Sequence, residues 1–121
     1  MAEQLPRLKM SKQGSVSVVE LVDKKVLDEA SINQIGEQLF ALAAASPQPR
    51  IVLDFTQVGH MSSSALGMII TLHKRVREKG GRLRLCNILP SIYEVFVITR
   101  LNEVFSICAT RAEALGEAAG E

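Results

Sequence analysis

The apolar positions of this chain change their spacing several times, and each change predicts a new element of secondary structure. Between positions 15 and 21 apolar and polar residues partly alternate, which is the two-residue period of a strand. From Ile32 to Leu42 apolar residues recur every three or four positions, as in an amphipathic helix, and Pro47 ends that pattern. Positions 51 to 55 form an apolar run that begins with β-branched residues, which is typical of a buried strand.

Positions 63 to 79 predict a strongly apolar helix with a basic end. Gly80 and Gly81 stop this helix, and lysine and arginine side chains in its last turns suit the negative end of the helix dipole. Leu66 and Ile70 lie off the predicted core stripe, so we expect them to face a neighbouring helix or a docking surface. The predicted core stripe consists of Ala65, Met68, Ile69, Leu72 and Val76.

The last third of the chain continues the alternation of strands and helices. Positions 82 to 86 alternate as a strand, and Pro90 is suited to the first residue of a helix that ends near position 99. A short strand over 104 to 107 precedes Thr110, which forms a capping box with Glu113 at the start of a terminal helix. The order of elements predicts an α/β domain whose parallel strands are joined by right-handed helical crossovers.

The region before the first long helix is less regular. Positions 1 to 14 are polar, and we expect either a flexible lead-in or a short edge strand there, followed by a single domain over 15 to 119. Val26 and Leu27 can form a very short strand. Either Asp28 or Ser31 can cap the first helix, because both residue types accept hydrogen bonds from unpaired N–H groups at a helix start.

Composition narrows the class of protein. A chain of 121 residues that is 47% hydrophobic and 22% charged can bury a core, unlike a disordered segment. Its formal net charge of +1 gives no general indication of a nucleic acid or an acidic membrane as partner. No apolar run approaches the roughly 20 residues of a membrane span, and the N-terminus lacks the apolar core of a signal peptide. We therefore expect a cytoplasmic location.

Several residues suggest chemistry that the remaining sequence does not support. His60 precedes three serines, but the sequence contains no Gly-x-Ser-x-Gly elbow, so a hydrolase is a weak hypothesis. Cys86 and Cys108 lie in apolar stretches and are expected to be buried, reduced thiols. No metal site, cofactor loop or catalytic residue is predicted. The basic residues between 74 and 84 lack interleaved aromatic side chains, which favours a solvated helix end over a nucleic-acid patch.

The segment from position 51 to 67 carries the strongest functional indication. A buried strand leads through a short polar connection to Ser62, Ser63 and Ser64, which open the apolar helix. Unpaired N–H groups and the positive end of the helix dipole meet at such a helix start. A serine there can cap the helix, and a phosphate there would find a prepared anion site. The residues alone leave both roles open.

The same segment resembles the STAS family, and within it the chain is most similar to bacterial anti-sigma factor antagonists. The resemblance runs over about residues 15 to 115. It implies a STAS fold, an α/β domain with a mixed, mostly parallel sheet of about four to five strands and about four helices. The residues that carry it are Val52, Leu53, Asp54, Phe55, Val58, Met61, the three serines, Leu66, Gly67, Gly80 and Gly81, with Leu101, Val104, Phe105, Ala114 and Leu115.

The resemblance implies roles for particular residues. Ser63 takes the position that a partner serine kinase phosphorylates, with Ser64 and then Ser62 as fallback acceptors. Ser62 replaces the aspartate that the family has at this position, and Ala65 replaces a glycine. An acidic residue before the first helix is also used at the partner surface. The implied partner-binding residues are Asp28, Glu29, Met61, Ser62, Ser63, Ser64 and Leu66.

The implied function is a partner switch without enzymatic activity. The unphosphorylated protein would bind an anti-sigma factor that is also a serine kinase, and phosphorylation would release it. A serine phosphatase is the further partner that such a cycle implies. The alternative is a scaffold or adaptor STAS domain, not phosphorylated, in a signalling or lipid-transport complex. A third hypothesis, a flavodoxin-like enzyme, lacks a glycine-rich phosphate loop. The oligomeric state stays open.

Overall fold

The computed structural model describes residues 8–22, 25–26 and 29–119. Four α-helices and seven strands occur in these ranges, with one turn of 3-10 helix at Leu101–Glu103. In chain order they are β1 (Leu8–Gln13), β2 (Val16–Leu21), β3 (Lys25–Val26), α1 (Glu29–Ala44), β4 (Arg50–Asp54), β5 (His60–Met61), α2 (Ser63–Glu78), β6 (Arg82–Cys86), α3 (Pro90–Ile98), β7 (Ser106–Cys108) and α4 (Arg111–Ala119).

Five strands form the main sheet in the order β1-β2-β4-β6-β7. Strand β1 is an edge strand that pairs antiparallel with β2, and every other neighbouring pair is parallel. Parallel neighbours need crossover connections, which α1, α2 and α3 supply. The expected α/β domain, with a mixed and mostly parallel sheet and four helices, is confirmed for the residues that the structure describes.

A second, two-stranded sheet links the starts of the first two helices. Strand β3 pairs in parallel with β5, so that Lys25 lies opposite His60 and Val26 lies opposite Met61. Helix α1 begins three residues after β3, and α2 begins two residues after β5. The pairing therefore brings the N-terminal ends of α1 and α2 to the same end of the molecule.

The sheet separates two apolar layers. Along β2 the side chains alternate, with Val16 and Val18 on one face and Val19 and Leu21 on the other. The larger layer packs α1, α2 and α3 against the sheet, with Phe96 among its fully buried side chains. The smaller layer packs α4 on the opposite face. This arrangement follows from the two-residue period of the strand, which sends successive side chains to opposite faces.

Helix α2 buries a wider stripe than the sequence predicts. Leu66 was expected off the core stripe, but it is only 9% exposed and belongs to the core of the larger layer. The reason is that α2 packs against both the sheet and α1, so residues on two adjoining faces are covered. Leu66 precedes Ile69 by three positions and shares its face. Met68, placed in the predicted stripe, is instead half-buried between α1 and α2.

The start of α1 excludes one of the two residues that were predicted to cap this helix. The helix already includes Glu29, so Ser31 lies inside its first turn and is buried rather than acting as the cap. Asp28 lies outside the described residues. No described helix has the length and apolar character needed to cross a membrane.

The turn after α2 depends on two glycines with different tasks. Gly80 adopts a left-handed backbone with φ of 71°, a conformation that glycine reaches without strain. A Cβ on Gly81 would lie 2.1 Å from the carbonyl oxygen of Pro49, so only glycine fits against that backbone. The N–H of Arg82 donates to the same carbonyl at 2.8 Å and starts strand β6.

Candidate functional site at the start of helix α2

Ser62 is the N-cap of α2. Its backbone is extended, with φ of −90° and ψ of 167°, and its hydroxyl oxygen accepts a hydrogen bond from the Ala65 N–H at 3.2 Å. The Ser62 carbonyl accepts the next bond, from the Leu66 N–H. Ser62 thus accepts hydrogen bonds from two N–H groups of the first turn, as an N-cap serine typically does. Aspartate, which the family resemblance implies at this position, caps helices equally well, so a serine here provides the cap without a negative charge.

Ser63 and Ser64 occupy the first two positions of the helix and have exposed side chains. Neither hydroxyl forms a hydrogen bond with another part of the chain that the structure describes. The first turn contains no acidic residue. An anion on Ser63 would therefore meet the positive end of the helix dipole, equivalent to about half an elementary charge, without a carboxylate of α2 beside it.

The remaining predicted site residues divide into three groups. Met61 is half-buried and packs against the core, directly before the cap. Glu29 is the first residue of α1, and the β3–β5 pairing brings this helix start to the same end of the molecule as the serines. The side chain of Glu29 and the whole of Asp28 lie outside what the structure describes. Leu66 lies beneath the serines in the core, where it can support the surface but offers little area to a partner. Ala65 is fully buried, so its methyl group adds nothing to that surface.

A groove between α1 and α2, which sequence reasoning missed, begins at Ser64. The groove has a volume of about 420 Å³, and Phe40 and Met68 supply apolar side chains to it. Gly36 and Gly67, one on each helix, keep part of its lining free of side chains. The sequence signal was the occurrence of a glycine inside each predicted helix, which often marks a close approach.

A buried carboxylate, also missed by sequence reasoning, anchors the loop that leads to the serines. Asp54 ends strand β4 and is 2% exposed. Its carboxylate accepts hydrogen bonds from the backbone N–H and the hydroxyl of Thr56 and from the Asn87 amide. The Arg111 guanidinium donates through Nε and Nη2 to Oδ2 at 2.9 and 2.7 Å. Asp54 thereby joins the loop after β4, the loop after β6 and the start of α4.

Burial and hydrogen-bond donors shift the pKa of Asp54 in opposite directions. Burial desolvates the carboxylate and raises its pKa, while the donors from Thr56, Arg111 and Asn87 lower it. The donors prevail, so the pKa of Asp54 lies below its ordinary value. Glu20 extends the network, because its carboxylate lies 3.6 Å from Arg111 and accepts a hydrogen bond from the Gln57 side chain at 3.1 Å. The loop between β4 and the serines is thus attached at two successive residues, Thr56 and Gln57.

Two of the basic residues at the end of α2, Lys79 and Arg75, have partners within the domain. Lys79 donates to the carbonyl oxygens of Ala43, Ala44 and Ser46 and so caps the end of α1. The Arg75 guanidinium lies 4.5 Å from the centre of the Phe40 ring. These contacts use the two side chains within the domain, and the preference for a solvated helix end over a nucleic-acid patch stays a prediction.

The two cysteines lie opposite each other in β6 and β7 and are buried, free thiols, as predicted. Burial raises the pKa of Cys86 to about 12 and that of Cys108 to about 11, so both are neutral at physiological pH. His60 is exposed in β5. Within the described ranges, no three His, Cys, Asp or Glu side chains are grouped closely enough to hold a metal ion.

Comparison with known proteins identifies the domain. The family model of the STAS domain matches residues 7–114. The anti-sigma-B factor antagonist of Bacillus subtilis is 32% identical over 83 residues, which cover 69% of this chain and 74% of that protein. The anti-sigma F factor antagonist of Paenibacillus polymyxa is 24% identical over 111 residues, 92% of this chain and 93% of that protein.

Solved structures show the same fold. An anti-sigma-factor antagonist domain protein from Planctomyces limnophilus superposes with a TM-score of 0.85 at 24% identity, covering 93% of this chain and 98% of that one. The phosphorylated form of the Bacillus cell fate determinant SpoIIAA superposes with a TM-score of 0.69 at 20% identity, covering 89% and 96%. The chain belongs to the STAS domain family, and its relatives include proteins named as anti-sigma factor antagonists.

Proposed function

We propose that this protein is an anti-sigma factor antagonist that works by partner switching. In its unphosphorylated form it binds an anti-sigma factor that is also a serine kinase, and phosphorylation of Ser63 releases it. The observation that carries the proposal is that neighbouring serines at the start of α2 differ in their hydrogen bonding. Ser62 is engaged as the cap, whereas the Ser63 hydroxyl is exposed and unbonded among the described residues. A kinase can reach Ser63 without disturbing the helix.

The physical chemistry of the helix start explains how a phosphate would switch binding. A phosphoserine adds roughly −1.5 to −2 charges. At the first position of α2 that charge is compatible with the helix dipole, so the domain keeps its fold. At a protein interface the same charge must be desolvated, and it repels any carboxylate of the partner. Release therefore follows from exclusion at the contact surface rather than from a change of shape.

The proposed contact surface consists of Met61, Ser62, Ser63 and Ser64, together with Glu29, the first residue of α1, and Asp28, the residue before it in the sequence. The α1–α2 groove adjoins this surface at Ser64 and can receive an apolar side chain of the partner. The chain itself acts as a binding protein and contributes no catalysis. The cycle takes place in the cytoplasm, and a serine phosphatase restores the unmodified form.

Phosphorylation of the whole chain by its cognate anti-sigma factor kinase tests the first half of the proposal. With Mg-ATP, intact-mass and peptide mass spectrometry should find one phosphate, located on Ser63. Ser63→Ala should remove the phosphate, while Ser64→Ala, a matched exposed serine one position later, should keep it. Absence of phosphate from all three serines would contradict the switch and leave the fold assignment untouched.

Binding measurements test the second half. Titration calorimetry with the same anti-sigma factor should show tight binding by the parent and by Ser63→Ala, and weaker binding by Ser63→Asp. The carboxylate of Ser63→Asp carries less charge than a phosphate, so the loss should be smaller than that of the phosphorylated chain. Equal affinity for all forms would favour the second candidate function, a constitutive adaptor domain. The replacement of the family aspartate by Ser62 is the observation that keeps this adaptor function in consideration.

A further inference from the structure

The exposed apolar side chains of this domain are concentrated around α3. Of the seven large apolar side chains that are exposed within the described residues, six lie between positions 89 and 104. They are Leu89, Tyr93, Val95, Val97, Ile98 and Val104. The seventh, Met10, lies on the edge strand β1, whereas α3 connects β6 to β7, the strand at the other edge of the sheet. Single exposed apolar residues need no explanation, but a cluster of this kind typically marks an interaction surface.

Helix α3 is apolar around its circumference although it lies at the surface. Among its nine residues only Ser91 and Glu94 lack an apolar side chain. Ile92 and Phe96 are its buried residues, and they attach one side of the helix to the larger apolar layer. A helix that is apolar on all sides is normally covered on all sides. The outward side of α3 therefore lacks the cover that its sequence favours.

Val97 lies at the centre of this outward side. Tyr93 and Glu94 precede it by four and three positions, so they are its neighbours on the helix surface. Arg100 follows Val97 by three positions, just beyond the end of the helix. All four residues are exposed. Along the chain, an exposed apolar residue thus lies midway between a carboxylate and a guanidinium.

The side chains of Glu94 and Arg100 have no partner in the part of the chain that the structure describes. Six positions correspond to about 9 Å along a helix axis, so the two residues are not neighbours on one helix. Arg100 also adopts a left-handed backbone with φ of 62°. Glycine is the usual residue in this conformation after a helix end. An arginine accepts conformational strain there that glycine would avoid, which indicates a use for its side chain.

We infer that the α3 face, defined by Tyr93, Glu94, Val97, Ile98 and Arg100, is the interface of a symmetric homodimer. Two copies of α3 that pack antiparallel about a two-fold axis at Val97 place Glu94 of each copy opposite Arg100 of the other, because both residues are three positions from the axis. The face is therefore complementary to itself in charge, with an apolar centre and two ion pairs at its rim. An acidic membrane is a poorer fit, because the face carries one charge of each sign and no basic cluster.

The size of the face is adequate for a dimer of moderate stability. The exposed apolar side chains around α3 amount to on the order of 500 Å² per copy, the size of the largest such patch on a typical monomer. A stable interface buries roughly 800 Å² per partner, part of it polar. With Ser91, Glu94 and Arg100 included, the α3 face approaches that size, and we expect a roughly micromolar dissociation constant. The inference does not depend on the proposed partner switch, because the α3 face and the serine segment share no residue.

Sedimentation velocity of the whole chain, from micromolar to millimolar concentration, tests the inference. The parent should shift with concentration to twice the mass of the single chain. Val97→Glu places two carboxylates at the axis and should weaken dimerisation at least about tenfold. Met10→Glu makes the same change at an exposed apolar residue outside the α3 face and should leave the dimer unchanged. Arg100→Gly removes the guanidinium and relieves the backbone, so it should weaken the dimer while circular dichroism shows a folded chain.

A charge exchange tests the antiparallel arrangement itself. Glu94→Arg alone and Arg100→Glu alone each place two pairs of like charges at the interface, and each should weaken the homodimer. In an equimolar mixture of these two variants, the mixed dimer regains two pairs of opposite charge. The mixture should therefore dimerise about as well as the parent. Ion pairing within one chain cannot produce this rescue.

Several outcomes would overturn the inference. One is a parent chain that stays monomeric at millimolar concentration. Another is a dimer that tolerates Val97→Glu, or that Met10→Glu weakens equally, because the interface would then lie elsewhere. A mixture of the two charge variants that stays monomeric would exclude the antiparallel pairing. A monomeric parent that binds phosphatidylserine vesicles, and loses that binding in Val97→Glu, would assign the α3 face to a membrane instead.

Discussion

Replacing Arg111 with methionine should destabilise the domain far more than the loss of a surface ion pair. Arg111 is the first residue of α4 and donates two hydrogen bonds to Asp54, whose side chain is 3% exposed. Methionine keeps much of the apolar stem but leaves the carboxylate without its cation. Removing one partner of a fully buried ion pair costs about 3–5 kcal/mol, because the remaining charge stays desolvated.

Two features of the structure reduce that magnitude. The Arg111 side chain is 40% exposed, so water can enter part of the space it leaves. Asp54 also keeps its donors from Thr56 and Asn87. We therefore expect a loss of about 2–3 kcal/mol in the free energy of unfolding, at or just below the lower limit of the range for a fully buried pair. At about 4 °C per kcal/mol for a domain of this size, the Tm should fall by about 8–12 °C.

Urea unfolding of the parent and Arg111→Met at pH 7 measures this loss. Glu117→Gln is the matched control, because it removes the ion pair with Arg84 in which Glu117 is 54% exposed, and it should cost less than about 1 kcal/mol. If Arg111→Met costs no more than this control, the carboxylate of Asp54 is not effectively desolvated and the reasoning fails.

The pH dependence provides a second check on the same pair. The pKa of Asp54 is lowered in the folded state, so its contribution is fully present above the ordinary carboxyl pKa, about 3.9, and is lost as pH falls through the folded value. Arg111→Met moves the folded pKa of Asp54 upward. The variant should therefore lose less additional stability than the parent between pH 5 and strongly acidic conditions.

Three further changes and one control substitution test the fold around α2, each by thermal or urea unfolding. Ser62→Ala removes the cap and should cost about 1 kcal/mol. Gly81→Ala should cost about 1–3 kcal/mol or more because its Cβ would collide with the Pro49 carbonyl, whereas Gly67→Ala, with open space around it, should be neutral or stabilising. Lys79→Met should cost about 1 kcal/mol, since three carbonyls at the end of α1 lose a charged donor. A cost for Lys79→Met near zero would mean that water replaces that donor without loss.

Local signals in the sequence predicted the helices and strands well, because each of them has its own hydrophobic period and its own boundary residues. The strand period placed β2 and β4, and Pro90 and the glycine pair placed helix boundaries. The Thr110 capping box is also present, with the Glu113 N–H donating to the Thr110 hydroxyl at 3.2 Å, although the Glu113 side chain bonds Ala109 rather than Thr110. Such features depend on residues that lie close together along the chain.

Features that depend on distant residues could not be predicted in the same way. Asp54 and Arg111 are 57 positions apart, and nothing in either local sequence indicates their pairing. The burial of Leu66 depends on α1 covering a second face of α2, which the apolar period of α2 alone does not encode. The groove at Ser64 likewise forms only when the two helices meet. The serine segment was predicted as a site, but its surroundings required the tertiary structure.

Ser62, at the position where the family resemblance implies an aspartate, should make a phosphate on Ser63 easier to accommodate. Ser62 caps α2 without a charge, so the dipole is not neutralised at the position next to the phosphoserine. Ser62→Asp would add a like charge at roughly 6 Å, worth about 0.7 kcal/mol in an exposed setting, and should raise the second pKa of the phosphoserine by about 0.5. Phosphorus NMR of the phosphorylated chain from pH 4 to 8 measures this pKa. Ser62→Asn keeps the cap without the charge and should leave the pKa unchanged, and an unchanged pKa in Ser62→Asp would show that the neighbouring charge has no bearing on the phosphate.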